Sequence, residues 1–174
     1  MSIFLRSDED IENTIRRYTN LLYRTSFFML KNKADADDVV QDTFYRYMTT
    51  NISFNEEEHK KAWLLKVAQN RCRDFLRSHK IRAYVPYEQV EQSLVYKEGI
   101  EKKDIDELIK IANLNYKYKS VIMLYYYEDY SIDEIANILE ISANAVKKRL
   151  QRARDKVKVA YEKKYGEDVK IYEI

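Results

Sequence analysis

The chain has 174 residues, with 31 Lys/Arg against 29 Asp/Glu, two glycines, one proline, one cysteine and two histidines. A lone Cys72 excludes an intramolecular disulfide, His59 and His79 are too few for a zinc cluster, and the scarcity of Gly and Pro excludes a hairpin-rich sheet fold. No apolar run approaches the ~20 residues of a membrane span and no cationic leader precedes an apolar core, so an almost wholly helical, unexported protein of the reducing cytoplasm is expected, without cofactor or metal.

Residues 8–30 open on the acidic Asp8 to Asp10, which favour the positive end of a helix, and continue with Ile11, Ile15, Tyr18, Leu22, Phe27 and Leu30 as one stripe, a first helix or helix pair. A second helix begins near Asp35, with Asp35, Asp37 and Asp38 in its first turn. It turns Ala36, Val40, Phe44 and Tyr47 inward and Asp38, Gln41, Asp42 and Tyr45 outward. Periodicity is lost over residues 49–60, where a loop ends near Glu56. A third helix from about Glu57 to Ile81 directs Leu64, Ala68, Cys72, Phe75 and Leu76 to the core. Over residues 71–82 it carries Arg71, Arg73, Arg77, Lys80 and Arg82 against Asp74 alone.

From Arg82 to about Lys103 the pattern weakens around Pro86, and Glu88, Glu91, Glu98 and Glu101 add negative charge, as in a linker between domains. The expected organisation is all-α: two small helical domains, residues 1–82 and 104–174, joined by a flexible linker at 83–103. The C-terminal one is a four-helix domain ending in a helix-turn-helix. Its first helices lie near Ile105 to Ala112 and Tyr116 to Tyr127. Sixteen tyrosines is a high count, and Tyr125, Tyr126 and Tyr127 in a row point in three directions, as packing or boundary residues do.

The stretch from Ser131 to Lys158, SIDEIANILEISANAVKKRLQRARDKVK, carries the most information. Ser131 and Glu134 form a capping box, and Ile132, Ile135, Ala136 and Leu139 one apolar stripe. The chain turns at Glu140 and Ile141, and Ser142 caps a helix that buries Val146, Leu150, Ala153 and Val157. Asn144, Lys147, Lys148 and Gln151 fall on the opposite face, placed to meet base edges in a major groove, with Arg149, Arg152 and Arg154 flanking them toward phosphates. Net charge is only +2, but residues 142–164 carry nine Lys/Arg against two Asp/Glu, whereas 104–141 carry three against eight. The cations concentrate on the candidate recognition helix, and the 71–82 stretch suggests a second nucleic-acid footprint.

Three ordered motifs, DADDVVQDTF from residue 35, AWLLKVAQNRCRDFLRS from residue 62 and the segment from Tyr118 to Lys158, resemble bacterial RNA polymerase sigma factors of the extracytoplasmic-function group, over about residues 11–160. The resemblance implies sigma domains two and four without the intervening third, and a protein that is not an enzyme. It implies that Asp38, Gln41 and Asp42 dock on core RNA polymerase. Asn70 and the loop before Trp63 would hold a flipped base of the melted minus-10 element, with Lys60, Lys61, Lys66, Arg71, Arg73 and Arg77 supplying cations for the single strand; Trp63 itself reads either as packing or as a base-stacking surface. In the C-terminal domain Ser142, Asn144, Lys147, Lys148 and Gln151 would meet the minus-35 element and Arg149 and Arg152 its backbone. An anti-sigma partner is implied as well.

The chain departs from the family pattern in three places. Glu140 stands where the turn usually has glycine, a left-handed position that costs a non-glycine residue ~1 kcal/mol. Asn115, which can still cap, replaces a proline, and Glu56 to Glu58 place three glutamates beside the single-strand path. Two other functions compete. A stand-alone helix-turn-helix regulator explains the C-terminal segment but neither the second basic helix nor the outward Gln41 and Asp42. A divalent-metal enzyme built on Asp35, Asp37, Asp38 and Asp42 lacks a converging histidine, a glycine-rich phosphate loop or a second carboxylate cluster.

Overall fold

The computed structural model describes residues 6–78, 109–110 and 112–165, which fall in two compact units. Every regular element among them is helical. The expected end of the third helix at Ile81, the linker at 83–103 and most of the helix expected near Ile105 lie outside the described residues.

In the first unit α1 (Asp8–Leu30) is one uninterrupted helix. The Ser7 side chain accepts the Asp10 N–H at 3.2 Å, and Asp8, Glu9 and Asp10 fill the first turn, satisfying a free amide and complementing the helix dipole. The helix ends at Lys31, whose left-handed φ of 56° turns its N–H back onto the Phe27 carbonyl at 2.8 Å. α2 (Lys33–Thr49) starts two residues before Asp35, because Asn32 Oδ1 accepts the Asp35 N–H at 3.0 Å. Asparagine is therefore the cap, and of the three aspartates only Asp35 lies in the first turn.

α3 (Glu57–Ser78) buries Leu64, Leu65, Ala68, Gln69 and Cys72. Phe75 and Leu76, expected inward, are half-buried and 36% exposed, respectively. Cys72 already lies against Ser26, one turn before α1 ends, so the turn beyond it has little wall left to pack on. The three helices pack pairwise around Leu22, Phe27, Val39, Phe44, Tyr47, Leu64 and Ala68, all buried. Burial pushes the Cys72 thiol up to about 12, so it behaves as a small apolar side chain.

A polar network closes one end of this core. The Asp10 carboxylate accepts the Tyr47 hydroxyl at 2.6 Å and the Lys60 ammonium at 3.1 Å, with Arg6 3.6 Å away. Lys60 also donates to Thr14 Oγ1 and lies 3.5 Å from Glu57, whose carboxylate takes the Tyr18 hydroxyl at 2.7 Å and faces Arg17 at 3.7 Å. Burial alone would raise the Asp10 carboxyl, but the Tyr47 and Lys60 hydrogen bonds and the charges of Lys60 and Arg6 outweigh it and hold it below the ordinary range. The Tyr18 hydrogen bond, helped by Lys60 and Arg17, does the same for Glu57.

The second unit is built on α4 (Tyr116–Ile122), α5 (Ile132–Leu139) and α6 (Ala143–Tyr165). Asn115 precedes α4 without a side-chain cap bond, so the expected capping is absent and only its carbonyl serves the helix, accepting the Lys119 N–H at 3.1 Å. α4 runs on into a π-helical turn, Met123–Tyr127, with Glu128 N–H on the Met123 carbonyl at 3.2 Å. The wider turn buries Met123 and Leu124 and leaves Tyr125, Tyr126 and Tyr127 half-buried at the rim.

In α5 the capping box of Ser131 and Glu134 is complete, and Ile135, Ala136 and Ile138 are buried, whereas Ile132 and Leu139 are half-buried. Glu140 is left-handed at φ 54°, and the Ile141 N–H reaches back to the Ala136 carbonyl at 3.0 Å, the six-to-one bond of a Schellman turn. Ser142 Oγ then accepts the Ala145 N–H at 3.1 Å to open α6. Val146, Leu150, Ala153 and Val157 are all buried against α4 and α5, each large one contributing about 1.5–3 kcal/mol through apolar burial.

Two outcomes follow for stability. Because the Asp10 and Glu57 carboxyls lie below their ordinary values in the folded chain, their stabilisation is complete above the ordinary carboxylate range and disappears as pH falls through the folded values. Asp10→Asn should therefore lower stability at pH 7 by about 1–2 kcal/mol, near the low end for charged hydrogen bonds because the side chain is 35% exposed, and the deficit should shrink toward pH 3. Urea unfolding at both pH values checks this, and an undiminished deficit at low pH would contradict it. Glu140→Gly, by relieving the left-handed backbone, should raise the stability of the second unit by up to about 1 kcal/mol in thermal melts.

Candidate nucleic-acid interfaces

The face of α6 opposite its buried stripe is laid out by the 3.6-residue period that spaces the stripe by four, three and four. Asn144, Lys147, Lys148, Gln151 and Arg152 are exposed on it, and Arg149 is half-buried at its edge. Ser142, also exposed, is engaged as the cap, though its hydroxyl hydrogen remains a donor. Gln151 Nε2 donates to Asp155 Oδ1 at 3.0 Å, a solvent-exposed pair within one turn that a competing acceptor can displace at a cost of about 0.5 kcal/mol.

Arg154 does not belong to this face. Its Nε donates to the Tyr126 hydroxyl at 2.8 Å, and its guanidinium lies 5.9 Å and 5.8 Å from the Tyr125 and Tyr126 ring centres. The expected phosphate-facing role is corrected to a link between α6 and the tyrosine rim. Burial raises the Tyr126 hydroxyl above its ordinary range against the opposing pull of Arg154, which keeps it protonated as the acceptor and ring surface that Arg154 uses.

In the first unit, Asp38, Gln41 and Tyr45 stand out from α2, Tyr45 being 62% exposed. Asp42, expected to share this outward face, is half-buried. Its Oδ2 is 3.0 Å from Arg46 Nε and 3.4 Å from Arg71 Nε, so it ties α2 to α3. Among the described residues no group of three or more His, Cys, Asp or Glu side chains is gathered as a metal site.

The basic residues of α3 divide in the same way. Lys60 is turned inward: its side chain is only 14% exposed and its ammonium is held by Asp10, Glu57 and Thr14. Arg71 pairs with Asp42 and lies 4.9 Å over the Phe75 ring, while Arg73 approaches the neighbouring Asp74, at 3.9 Å. Lys61, Lys66 and Asn70 are half-buried, and Arg77 is exposed. Trp63 packs in an aromatic cluster, 5.5 Å from Phe54 and 6.3 Å from Tyr47 between ring centres, and remains half-buried. Of the three glutamates, Glu57 turns onto Tyr18, Arg17 and Lys60, leaving Glu56 and Glu58 exposed.

Sequence reasoning missed Arg6, Asp10 and the Glu57–Tyr18 bond, which hold the loop between α2 and α3. Their partners lie 37 to 50 positions away, and no local pattern announces such pairs. The local traces are Glu57 three residues before Lys60 and Arg6 four before Asp10, spacings at which ion pairs form.

Comparison with known proteins adds lineage to this geometry. Residues 14–81 match the family model for Sigma-70 region 2, and residues 110–157 that for Sigma-70, region 4. RNA polymerase sigma factor SigV of Bacillus subtilis is 34% identical over 131 residues, 75% of this chain and 78% of that protein, and ECF RNA polymerase sigma factor SigW of the same organism is 28% identical over 86% and 88%. Two solved structures share the fold. One is CnrH in complex with the cytosolic domain of CnrY, with a TM-score of 0.65, 22% identity and 91% of each chain covered. The other is the sigma factor RpoE in complex with the anti-sigma factor NepR from Bartonella quintana, with a TM-score of 0.62, 21% identity and 88% and 98% covered. Among the described residues no helix is long and apolar enough to cross a membrane. With both region models matched in chain order and a relative at 34% identity, this chain belongs to the sigma-70 family, in its ECF group, and is a promoter-recognising RNA polymerase sigma factor.

Proposed function

We propose that the two units divide promoter recognition between them, with the domains bounded at 1–82 and 104–174 and residues 83–103 joining them. The second unit reads the duplex minus-35 element through Ser142, Asn144, Lys147, Lys148 and Gln151, with Arg149 and Arg152 on phosphates. The first captures unpaired minus-10 bases with the loop before Trp63, Asn70 and the cations of α3. Asp38 and Gln41, beside Tyr45, meet core RNA polymerase. The protein acts in the cytoplasm as a specificity subunit without catalysis of its own, and an anti-sigma protein occludes these surfaces.

The observation that carries this reading is the α6 face, on which two amide side chains and three cations stand exposed opposite a fully buried stripe, on a helix whose entry is fixed by the Glu140 turn and the Ser142 cap. Amide and cationic donors on one rigid helical face suit base edges and phosphates of a major groove. Lys60 is left out of the single-strand contacts, because its ammonium is already held by two carboxylates. Asp42 serves the polymerase surface indirectly, by fixing α2 against Arg71.

Lys147→Ala should change which minus-35 sequences the holoenzyme prefers, by about 1–3 kcal/mol at the affected base pair. Arg152→Ala should weaken all promoters alike and lower the slope of log affinity against log salt by about one. Reconstituted transcription with core polymerase on a library of minus-35 variants, at several salt concentrations, reads both. Unaltered promoter choice in both variants would remove the base-reading assignment. Mobility shift of promoter duplex by the chain alone, as strong as with core polymerase present, would instead favour a stand-alone regulator.

A further inference from the structure

The residue just before the α1 cap holds the loop between α2 and α3 through contacts that have no assigned use in DNA or polymerase binding. Arg6 has a side chain only 6% exposed, although it precedes the first helix. Its Nε donates to the Tyr47 carbonyl at 2.8 Å, and its Nη2 donates to the Ile52 carbonyl. Its guanidinium centre lies 4.1 Å from the Tyr47 ring centre and 5.1 Å from that of Phe54, and Nη1 faces Asp10. Tyr47 lies in the last turn of α2, where carbonyls have no partner within the helix, and Ile52 and Phe54 belong to the loop that follows.

One planar fork thus joins the end of α2 to the loop backbone, and its flat face lies against the rings that floor the loop. Above that floor Asn51, Ile52, Ser53 and Asn55 are exposed, while Phe54 stacks on Tyr47 at 5.9 Å and meets Trp63 edge-on. The loop has no regular hydrogen-bond ladder of its own. Besides Arg6, its backbone is tied by a weak Ile52 N–H bond to Thr50 Oγ1 at 3.4 Å and, at its exit, by the Glu56 carbonyl, which accepts the Lys60 N–H at 3.2 Å. A lysine could supply the charge but neither the two directed bonds nor the planar stacking.

We propose that Arg6 is a positioning residue for minus-10 recognition: by bonding the Tyr47 and Ile52 carbonyls and lying against Tyr47 and Phe54, it presets the loop at residues 51–56 in the shape that selects an unpaired base. This rests on the reading of that loop as the single-strand capture element. A preset loop discriminates because the wrong base meets a surface that does not rearrange around it, whereas a mobile loop adapts to any base.

The test uses holoenzyme reconstituted from the full chain and core polymerase, with single-stranded oligonucleotides carrying each of the four bases at every minus-10 position. Arg6→Ala should reduce the ratio between the preferred and the other bases about five- to tenfold, with affinity for core polymerase within about twofold of wild type. Arg6→Lys should fall between the two, at about two- to threefold. Amide exchange at Ile52 to Asn55 should quicken in both variants, a change that loss of global stability alone would spread over all three helices. Asn51→Ala, Ser53→Ala and Asn55→Ala serve as controls on the loop surface. If they alter base preference while Arg6→Ala and Arg6→Lys leave it unchanged, the positioning role is overturned and the capture reading stands. If neither set alters it, both are overturned. Should Arg6→Ala fail to fold, wild-type selectivity in a folded Arg6→Lys is sufficient to reject the inference.

Discussion

The Asp10 carboxylate is the point on which the first unit depends. It collects a hydroxyl from the end of α2, an ammonium from the start of α3 and a guanidinium from the segment before α1, so three parts of the chain, the farthest 50 positions from Asp10, meet at one anion. A half-buried carboxylate with charged donors is stabilised in its ionised form, and in turn it favours the charged form of Lys60 and holds the Tyr47 hydroxyl by a hydrogen bond. The geometric consequence exceeds the energetic one. With Tyr47 and Lys60 both pinned, the chain between them leaves α2 and enters α3 at fixed points, which sets where the intervening loop begins and ends.

The second unit reaches comparable definition by other means. A stripe of Val146, Leu150, Ala153 and Val157, two hydroxyl caps and one left-handed turn set the angle of α6, with Arg154 on Tyr126 as the long-range polar tie. A recognition surface on one continuous 23-residue helix needs only that helix to be straight and correctly entered. A surface made by a loop needs its backbone held from several sides. The two constructions suit the two kinds of target proposed for them, a regular duplex groove and an unpaired strand.

What could be read from the sequence follows the same division. The C-terminal segment is legible nearly residue by residue, since capping box, turn at Glu140, Ser142 cap and four-three-four stripe are all local, within a turn or two of one another, while the left-handed Glu140 follows from the family's usual glycine. The helical class and the inward residues of α2 were equally plain. Asn32 as the cap of α2 was overlooked because a run of aspartates offered an attractive alternative, and the π-helical turn at Met123 to Tyr127 left no mark beyond a row of tyrosines. Lys60, Asp42 and Arg154 were counted among outward charges, yet each is drawn in by a partner at least 28 positions away. A periodic pattern shows which way a side chain leaves its helix, not what another helix brings to meet it.

That difference bears on how charge should be counted. Along the sequence the basic part of α3 and the basic face of α6 look like two footprints of one kind. In the fold, α3 commits Lys60 to Asp10 and Glu57 and Arg71 to Asp42, and its carboxylate partners remain beside it as compensating charge. On α6 Arg154 is drawn in toward a neutral tyrosine, while Lys147, Lys148 and Arg152 keep their charge at the surface. Counterion release scales with phosphates neutralised, at about 0.9 in log-log slope for each on duplex and less on single strands. On the proposed division of labour, the second unit therefore grips chiefly through exposed charge and the first through a shape held in place, so the two grips differ in what weakens them: salt for α6, and loosening of the Asp10 network for the loop.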